Sequence, residues 1–189
     1  MEDTALVTLK SILSARGYNA DNFEPVTSPL GETMYTFDGL LIIFSSKTRV
    51  SERELNTFIA FASENGYSSG MIIVSPSRPS DSVLSVLRSH IANKENPLVQ
   101  IFEIRHLQFD ISKHRKVPKH RLLSSDEIED VLKQYNLSSP AVMPKIDCQD
   151  PMAKWIGARP GDVVEVIGIC ESSGENKRYR YCVADVTNG

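Results

Sequence analysis

Three short apolar runs constrain the first part of this chain most: residues 40–44 (LLIIF), 71–74 (MIIV) and 99–102 (VQIF). A run with almost no polar position has no face to offer to water. Each therefore reads as a strand covered on both sides. Helical patterns separate them. Ser51 stands where an N-cap belongs, with Glu54 at the capping-box position. Leu55, Phe58, Ile59 and Ala62 then share one helix face, and Gly66 ends the pattern. Residues 81–91 repeat the arrangement with Val83, Val86 and Leu87 inward. Strand, helix, strand, helix, strand is an α/β layered unit with a parallel pair.

Elements flank this centre. Leu6, Leu9, Ile12 and Leu13 have helical spacing over residues 4–16, and Gly17 sits at the expected C-terminal stop. Residues 18–33 are polar, with Pro25, Pro29 and Gly31, and read as a loop. Residues 34–44 are strand-like, and Asp38-Gly39 inside them suggests a tight hairpin turn. Residues 107–111 suggest a fourth strand. Residues 113–121 (KHRKVPKHR) form a basic connector expected to be extended. Ser124 and Glu127 make a second capping box. The face Ile128, Val131, Leu132 and Tyr135 follows, and Ser138-Ser139-Pro140 closes the helix.

The sharpest local chemistry lies between Asp150 and Tyr181. Gly157, Pro160 and Gly161 set a turn, because proline fixes φ and glycine reaches values that other residues avoid. Trp155, the only tryptophan, sits just before it. Residues 162–167 (DVVEVI) read as a strand, residues 171–176 as a hairpin loop around Gly174, and residues 178–183 as the returning strand. Residues 184–189 read as a frayed tail.

Composition limits the function. The net charge of −3 argues against a stand-alone nucleic-acid binder. Residues 113–189 carry twelve Lys/Arg against eleven Asp/Glu, and residues 1–112 carry nine against thirteen, so the acidity belongs to the first part. No apolar run approaches the ~20 residues of a membrane span, and the N-terminus lacks the pattern of a signal peptide. Three widely spaced cysteines, Cys148, Cys170 and Cys182, fit reduced thiols in an intracellular protein. His114 and His120 have no partners at zinc-ligand spacing, so no metal or other cofactor is expected. Asp38 and Lys47 raise the alternative of a metal-dependent nuclease, but Ser45 stands where the second carboxylate would be needed. No nucleophile elbow and no glycine-rich phosphate loop occurs.

Asp150-Pro151, Trp155, Gly157, Arg159-Pro160-Gly161, Glu171 and Tyr179-Arg180, with Val117-Pro118-Lys119-His120 and the helix over residues 125–135 upstream, form an ordered pattern over about seventy residues. It resembles the assembly domain of the fifth subunit of eukaryotic nuclear RNA polymerases and of its archaeal counterpart. Gly168-Ile169-Cys170 departs from the Arg-Pro-Ser usual there, and the family's extra strand within residues 18–33 looks lost.

The resemblance implies an α+β chain: a nuclease-like α/β jaw domain over residues 1–112, a connector over 113–117, and a small αβ assembly domain with a β-hairpin over 118–189. It implies a non-catalytic polymerase subunit, docked on the largest subunit with other subunits as partners. Its jaw would lie near downstream double-stranded DNA. Expected interface residues are Val117, Pro118 and His120 at the junction, and Asp150, Pro151, Trp155, Gly157, Pro160, Gly161, Tyr179 and Arg180 on the anchoring surface. Trp155 and Tyr179 would supply apolar area, although in so small a module Trp155 suits a core equally, while Arg180 would pair with a carboxylate within the module or across the interface. Lys113, Arg115, Lys116, Lys119 and Arg121 are the candidates for contact with a DNA backbone. The expected location is the nucleus, or the virion or infected cytoplasm for a viral homologue. The alternatives are a divergent nuclease and a small stand-alone nucleic-acid binder.

Overall fold

The computed structural model describes residues 1–18, 23–27, 31–170 and 174–186. It divides into two compact units, Met1–Phe109 and Asp110–Gly189. Both mix helix and sheet, as an α+β chain should.

The first unit is built on a five-stranded sheet. Helix α1 (Glu2–Ala15) precedes strands β1 (Glu24–Val26), β2 (Thr33–Phe37) and β3 (Leu40–Phe44). Helix α2 (Glu52–Glu64), strand β4 (Gly70–Ser75), helix α3 (Asp81–Ala92) and strand β5 (Val99–Glu103) follow. The strand order is β1-β2-β3-β4-β5. The first three strands are antiparallel and the last three parallel, with Ile42 level with Ile72 and Ile72 with Gln100. Every residue of β3, β4 and β5 is buried, which is why those runs carry almost no polar side chain. The two crossover helices, α2 and α3, touch each other, as crossovers of one hand require. Arg16, in the turn after α1, donates to Gln100 of β5 at 2.5 Å.

Local signals shaped these elements as expected. Asp38 (φ 46°) and Gly39 (φ 74°) form the two-residue turn between β2 and β3. Ser51 Oγ accepts from the Glu54 amide, and the Glu54 carboxylate accepts from the Ser51 amide at 2.9 Å. Gly70 enters β4 with φ 131°, and a Cβ there would lie 2.6 Å from the Leu98 carbonyl oxygen.

Two expectations change. Residues 107–111 make no strand. A 3-10 turn at Ile104–Leu107 and a second at Ile111–Lys113 occupy this stretch, because Asp110 caps the latter by accepting from the Ser112 amide. The stretch read as a loop contains a strand, β1, with Pro25 opposite Tyr35. As an edge strand, β1 tolerates a proline that cannot donate. Pro29 lies outside the described residues.

The second unit carries strand β6 (Lys119–Leu122), helix α4 (Ser125–Gln134) and strand β7 (Lys145–Asp147). Helix α5 (Pro151–Ile156) and strands β8 (Val163–Cys170) and β9 (Gly174–Val183) complete it. The sheet order is β6-β8-β9-β7, antiparallel except for the β7–β9 pair. Val131, Met143 and Val163 centre its core, with Ile128, Leu132, Tyr179 and Tyr181 packed around them. The capping box at Ser124 and Glu127 forms as expected. The helix ends at Gln134, earlier than the Ser-Ser-Pro stop, because Asn136 takes a left-handed φ of 51°. The connector is not extended throughout. Turns occupy residues 114–117, and Lys119 to Arg121 already belong to β6. Strand β9 starts at Gly174, so residues 174–176 are strand rather than loop; residues 171–173 lie outside the described residues. So do residues 187–189 of the expected tail.

Candidate docking surface of the C-terminal unit

Most residues expected to dock prove to build the frame of their own unit. Asp150 is the N-cap of α5, accepting from Met152 N at 2.8 Å and Ala153 N at 3.3 Å. Pro151 occupies the first helical position, where its missing N–H costs nothing. Gly157 takes φ 75°, and Ala158 N donates back to the Ala153 carbonyl, closing the helix in a Schellman pattern. The sequence reading placed only a turn here and missed α5. Asp-Pro followed by Gly was its signal.

Trp155 corrects a further expectation. It is only 3 % exposed, packed with Met152, Ala153 and Ile156 in the buried set, so it offers no apolar area to a partner. Pro160 and Gly161 form the turn from Arg159 to Asp162, closed by Asp162 N donating to the Arg159 carbonyl at 3.0 Å. Gly161 N also donates to the Cys182 carbonyl, tying this turn to β9. Val117 and Pro118 are half-buried, and the His120 ring Nδ1 lies 2.8 Å from the Pro118 carbonyl.

The sequence reading also missed a buried acid. Glu165 lies in the middle of β8 and is 2 % exposed. Its Oε2 accepts from Arg121 Nε at 2.5 Å, and its Oε1 lies 3.4 Å from the Tyr179 hydroxyl and 3.7 Å from Lys177 Nζ. Arg121 also donates to Glu127 at 2.8 Å. One carboxylate thus links β6, β8 and β9, and through Arg121 it reaches the cap of α4. Such an acid needs these donors, since an unpaired buried charge costs several kcal/mol. The hydrogen bonds to Glu127 and then to Glu165 raise the Arg121 pKa. The Ser124 amide and then Arg121 lower that of Glu127. Burial first, then the Glu165 charge, raises that of Tyr179. A lone Glu between valines is the trace this leaves in the sequence.

This network settles the expected cations. Arg121 is committed to two carboxylates and is not a free DNA contact. Lys113 pairs with Asp110 at 3.2 Å. Arg115, Lys116 and Lys119, however, line one groove of about 820 Å³ with His114, Val166, Gly168 and Ile169. Arg178, which the sequence reading did not select, joins them, against one acid, Glu175. Ile169 beside them is 95 % exposed.

A second groove, of about 400 Å³, lies between the end of α4, residues 142–144 and β9. Tyr179 forms its wall, with its ring edge-on to Tyr135 at 5.7 Å. Arg180 lies on its rim and donates to the Lys145 carbonyl at 3.3 Å. Of the two pairings expected for Arg180, the one with a carboxylate of its own module is not formed among the described residues. Tyr135, Val142 and Met143, absent from the sequence-derived set, complete the apolar lining.

Comparison with known proteins then places the chain. A family model described as RNA polymerase Rpb5, C-terminal domain, matches residues 109–182. DNA-directed RNA polymerase subunit Rpo5 of Pyrococcus abyssi is 40 % identical over 78 residues, 41 % of this chain and 94 % of the relative. The Rpo5 subunit of Archaeoglobus fulgidus is 40 % identical over 77 residues, covering 100 % of the relative, and that of Aeropyrum pernix 43 % over 74 residues, covering 81 %. The chain belongs to the Rpb5 family of RNA polymerase subunits. The Rpb5 match coincides with the second compact unit, and the first 108 residues lie outside it.

In the first unit, the Lys47 ammonium pairs with Glu54, the acid that closes the α2 cap, and Asp38 sits in a hairpin turn. Among the described residues, no group of three His, Cys, Asp or Glu side chains could hold a metal ion. No helix among them is long and apolar enough to cross a membrane. Cys148 and Cys182 are buried and form no disulfide, and burial, then Cys148, pushes the Cys182 pKa up to about 12.

Proposed function

We propose that this chain is a non-catalytic subunit of a DNA-directed RNA polymerase, anchored by its second unit on the largest subunit. The carrying observation is that the Rpb5 match over residues 109–182 covers most of the compact unit of residues 110–189, which exposes two lined grooves beside its hairpin. Tyr, Met and Arg, the types enriched at interfaces, concentrate at one of them. Val117 and Pro118 line the other. The first unit, with β3, β4 and β5 buried on both faces, serves as the jaw near downstream DNA. Nucleotide addition belongs to the large subunits, and the location follows the polymerase: the nucleus, or the virion or infected cytoplasm for a viral enzyme.

Arg115, Lys116 and Lys119, joined by Arg178, supply a sequence-independent phosphate contact. Three or four such contacts give a log–log salt slope of roughly −3 to −4. Affinity purification of the tagged full chain, followed by mass identification of its partners, tests the central claim. Co-purification of the largest polymerase subunit is expected. A chain recovered with no polymerase subunit would overturn it.

A further inference from the structure

The 400 Å³ groove has an apolar interior and a charged rim. Val131, Leu137 and Met143 line its inner part, and all three pack in the core of the unit. Its mouth is open, with Tyr135 51 % and Val142 61 % exposed. An apolar patch that leads from water into a core is what a partner side chain can cover. The rim is Lys177, Arg178 and Arg180, and no carboxylate lines the groove. Two of these cations have partners within the unit: Lys177 Nζ lies 3.7 Å from Glu165, and Arg180 donates to the Lys145 carbonyl. Arg178 is exposed and makes no ion pair among the described residues.

The backbone around the groove limits what can enter. Residues 142–144 lie beside β9 and lead into β7, with Tyr181 N donating to the Pro144 carbonyl. Val142 N and Met143 N donate within their own turn, to the Ser139 and Pro140 carbonyls. The main chain on this side is committed, so recognition falls to side chains that enter from outside. The rings of Tyr135 and Tyr179 meet edge-on, with their planes 63° apart. They leave no parallel slot for a flat base, and the Tyr179 hydroxyl is turned to Glu165. The thioether of Met143 instead adapts to a bulky aliphatic or aromatic side chain. Pockets of ~300–1,000 Å³ hold drug-sized ligands, so this groove suits a single anchor.

We infer that the groove seats one large apolar side chain, leucine or phenylalanine, from an acidic segment of a neighbouring polymerase subunit. This rests on the anchoring reading above and specifies its chemistry at one place. The anchor covers Tyr135, Val142 and Met143. Carboxylates beside it in sequence meet Arg178 and Arg180, and a rim of cations alone rejects a basic partner.

The test titrates the ¹⁵N-labelled full chain with an acetylated, amidated peptide of sequence EELFEE. The controls are KKLFKK, which reverses the charge, and EEGSEE, which lacks the anchor. Amide shifts are expected at Tyr135, Val142, Met143 and Tyr179, with both controls binding at least about 10-fold more weakly. Val142→Glu and Arg178→Glu should each weaken EELFEE at least about 5-fold. Both residues are exposed, so neither variant threatens folding. Equal binding of either control, no shifts at the groove, or unchanged affinity in both variants would overturn the proposal. So would tighter binding of an oligothymidine octamer at the same amides, which would make this a nucleic-acid site. A dimer of the full chain that Val142→Glu dissolves would put a second copy there and overturn it as well. Co-purification separates the two readings. If neither variant loses the polymerase subunits that wild type recovers, the groove is wrong and the anchoring stands. If wild type recovers none, the anchoring itself fails.

Discussion

The two units solve the same folding problem with different means. In the first, β3, β4 and β5 are buried on both faces, and apolar side chains dominate the interior. In the second, only one of four residues of β6 is even half-buried, and β9 is mostly exposed or half-buried. A sheet of four strands with so little cover cannot be held by apolar burial alone. Glu165 and its ring of donors join its strands where the first unit uses isoleucine and valine. The difference teaches where function is free to sit. The first unit spends its faces on itself, whereas the second leaves edges, cations and tyrosines open.

The largest expected effect tests how essential the small core is. Trp155→Ala should cost about 3–5 kcal/mol, because a buried indole leaves a cavity. Urea titration followed by circular dichroism should show the second unit losing its transition or shifting it far down. In the wild type, the single tryptophan reports that transition alone. An unchanged midpoint would mean that Trp155 does not hold the unit.

Gly70→Val probes the first unit through its backbone. The combination of φ 131° and a Cβ 2.6 Å from the Leu98 carbonyl should cost roughly 2–4 kcal/mol. The variant should melt the first unit early while the tryptophan signal stays in place. If both signals move equally, the units are not independent.

Glu165→Ala should come next, at about 2–3 kcal/mol. It strands the Tyr179 hydroxyl, while half-exposed Arg121 recovers some solvation. Glu165→Gln should cost less. Both substitutions should lower the tryptophan-reported urea midpoint. A fully buried isoleucine of β3 changed to valine, by contrast, should lower the midpoint of the first unit, by about 1 kcal/mol, and leave the tryptophan-reported one in place.

A smaller effect is expected at high pH. The Cys182 thiol is raised from its ordinary 9.0 to about 12. Its protonated form is favoured in the fold, so this contribution is intact below pH 9 and is lost as pH climbs toward 12. Tyr179, raised above its ordinary 10.0 by burial, adds to the same slope. Cys182→Ala should flatten the fall in stability over that window, measured by urea midpoints at stepped pH. The smallest effect on stability belongs to Arg115→Glu with Lys116→Glu. Both are exposed, so the midpoint should hold within about 0.5 kcal/mol. The salt slope of DNA binding should drop by roughly two.

How much of this was legible depends on the range of the interaction. Ser51 with Glu54, Ser124 with Glu127, and Asp38 with Gly39 act within three residues, and all three formed as read. Helix α5 is six residues long, under two turns, so no periodicity announced it. Strands β1 and β7 have three residues each and no alternation to detect. Arg121 and Glu165 are 44 positions apart, and nothing local marks them as partners. The type of Trp155 suits a core or an interface equally, and only the family resemblance favours the interface. Only packing could show that it faces inward.

The sequence by itself determined the strand–helix alternation at the centre of the first unit, the capping boxes and the hairpin turn, and membership of the family, because each is written in side chains a few positions apart or in one ordered motif. Tertiary structure alone decided which cations remain available and that the acid of β8 is the hub of its sheet. Those outcomes depend on which strands become neighbours, and neighbours in a sheet are chosen by the whole fold rather than by adjacent residues.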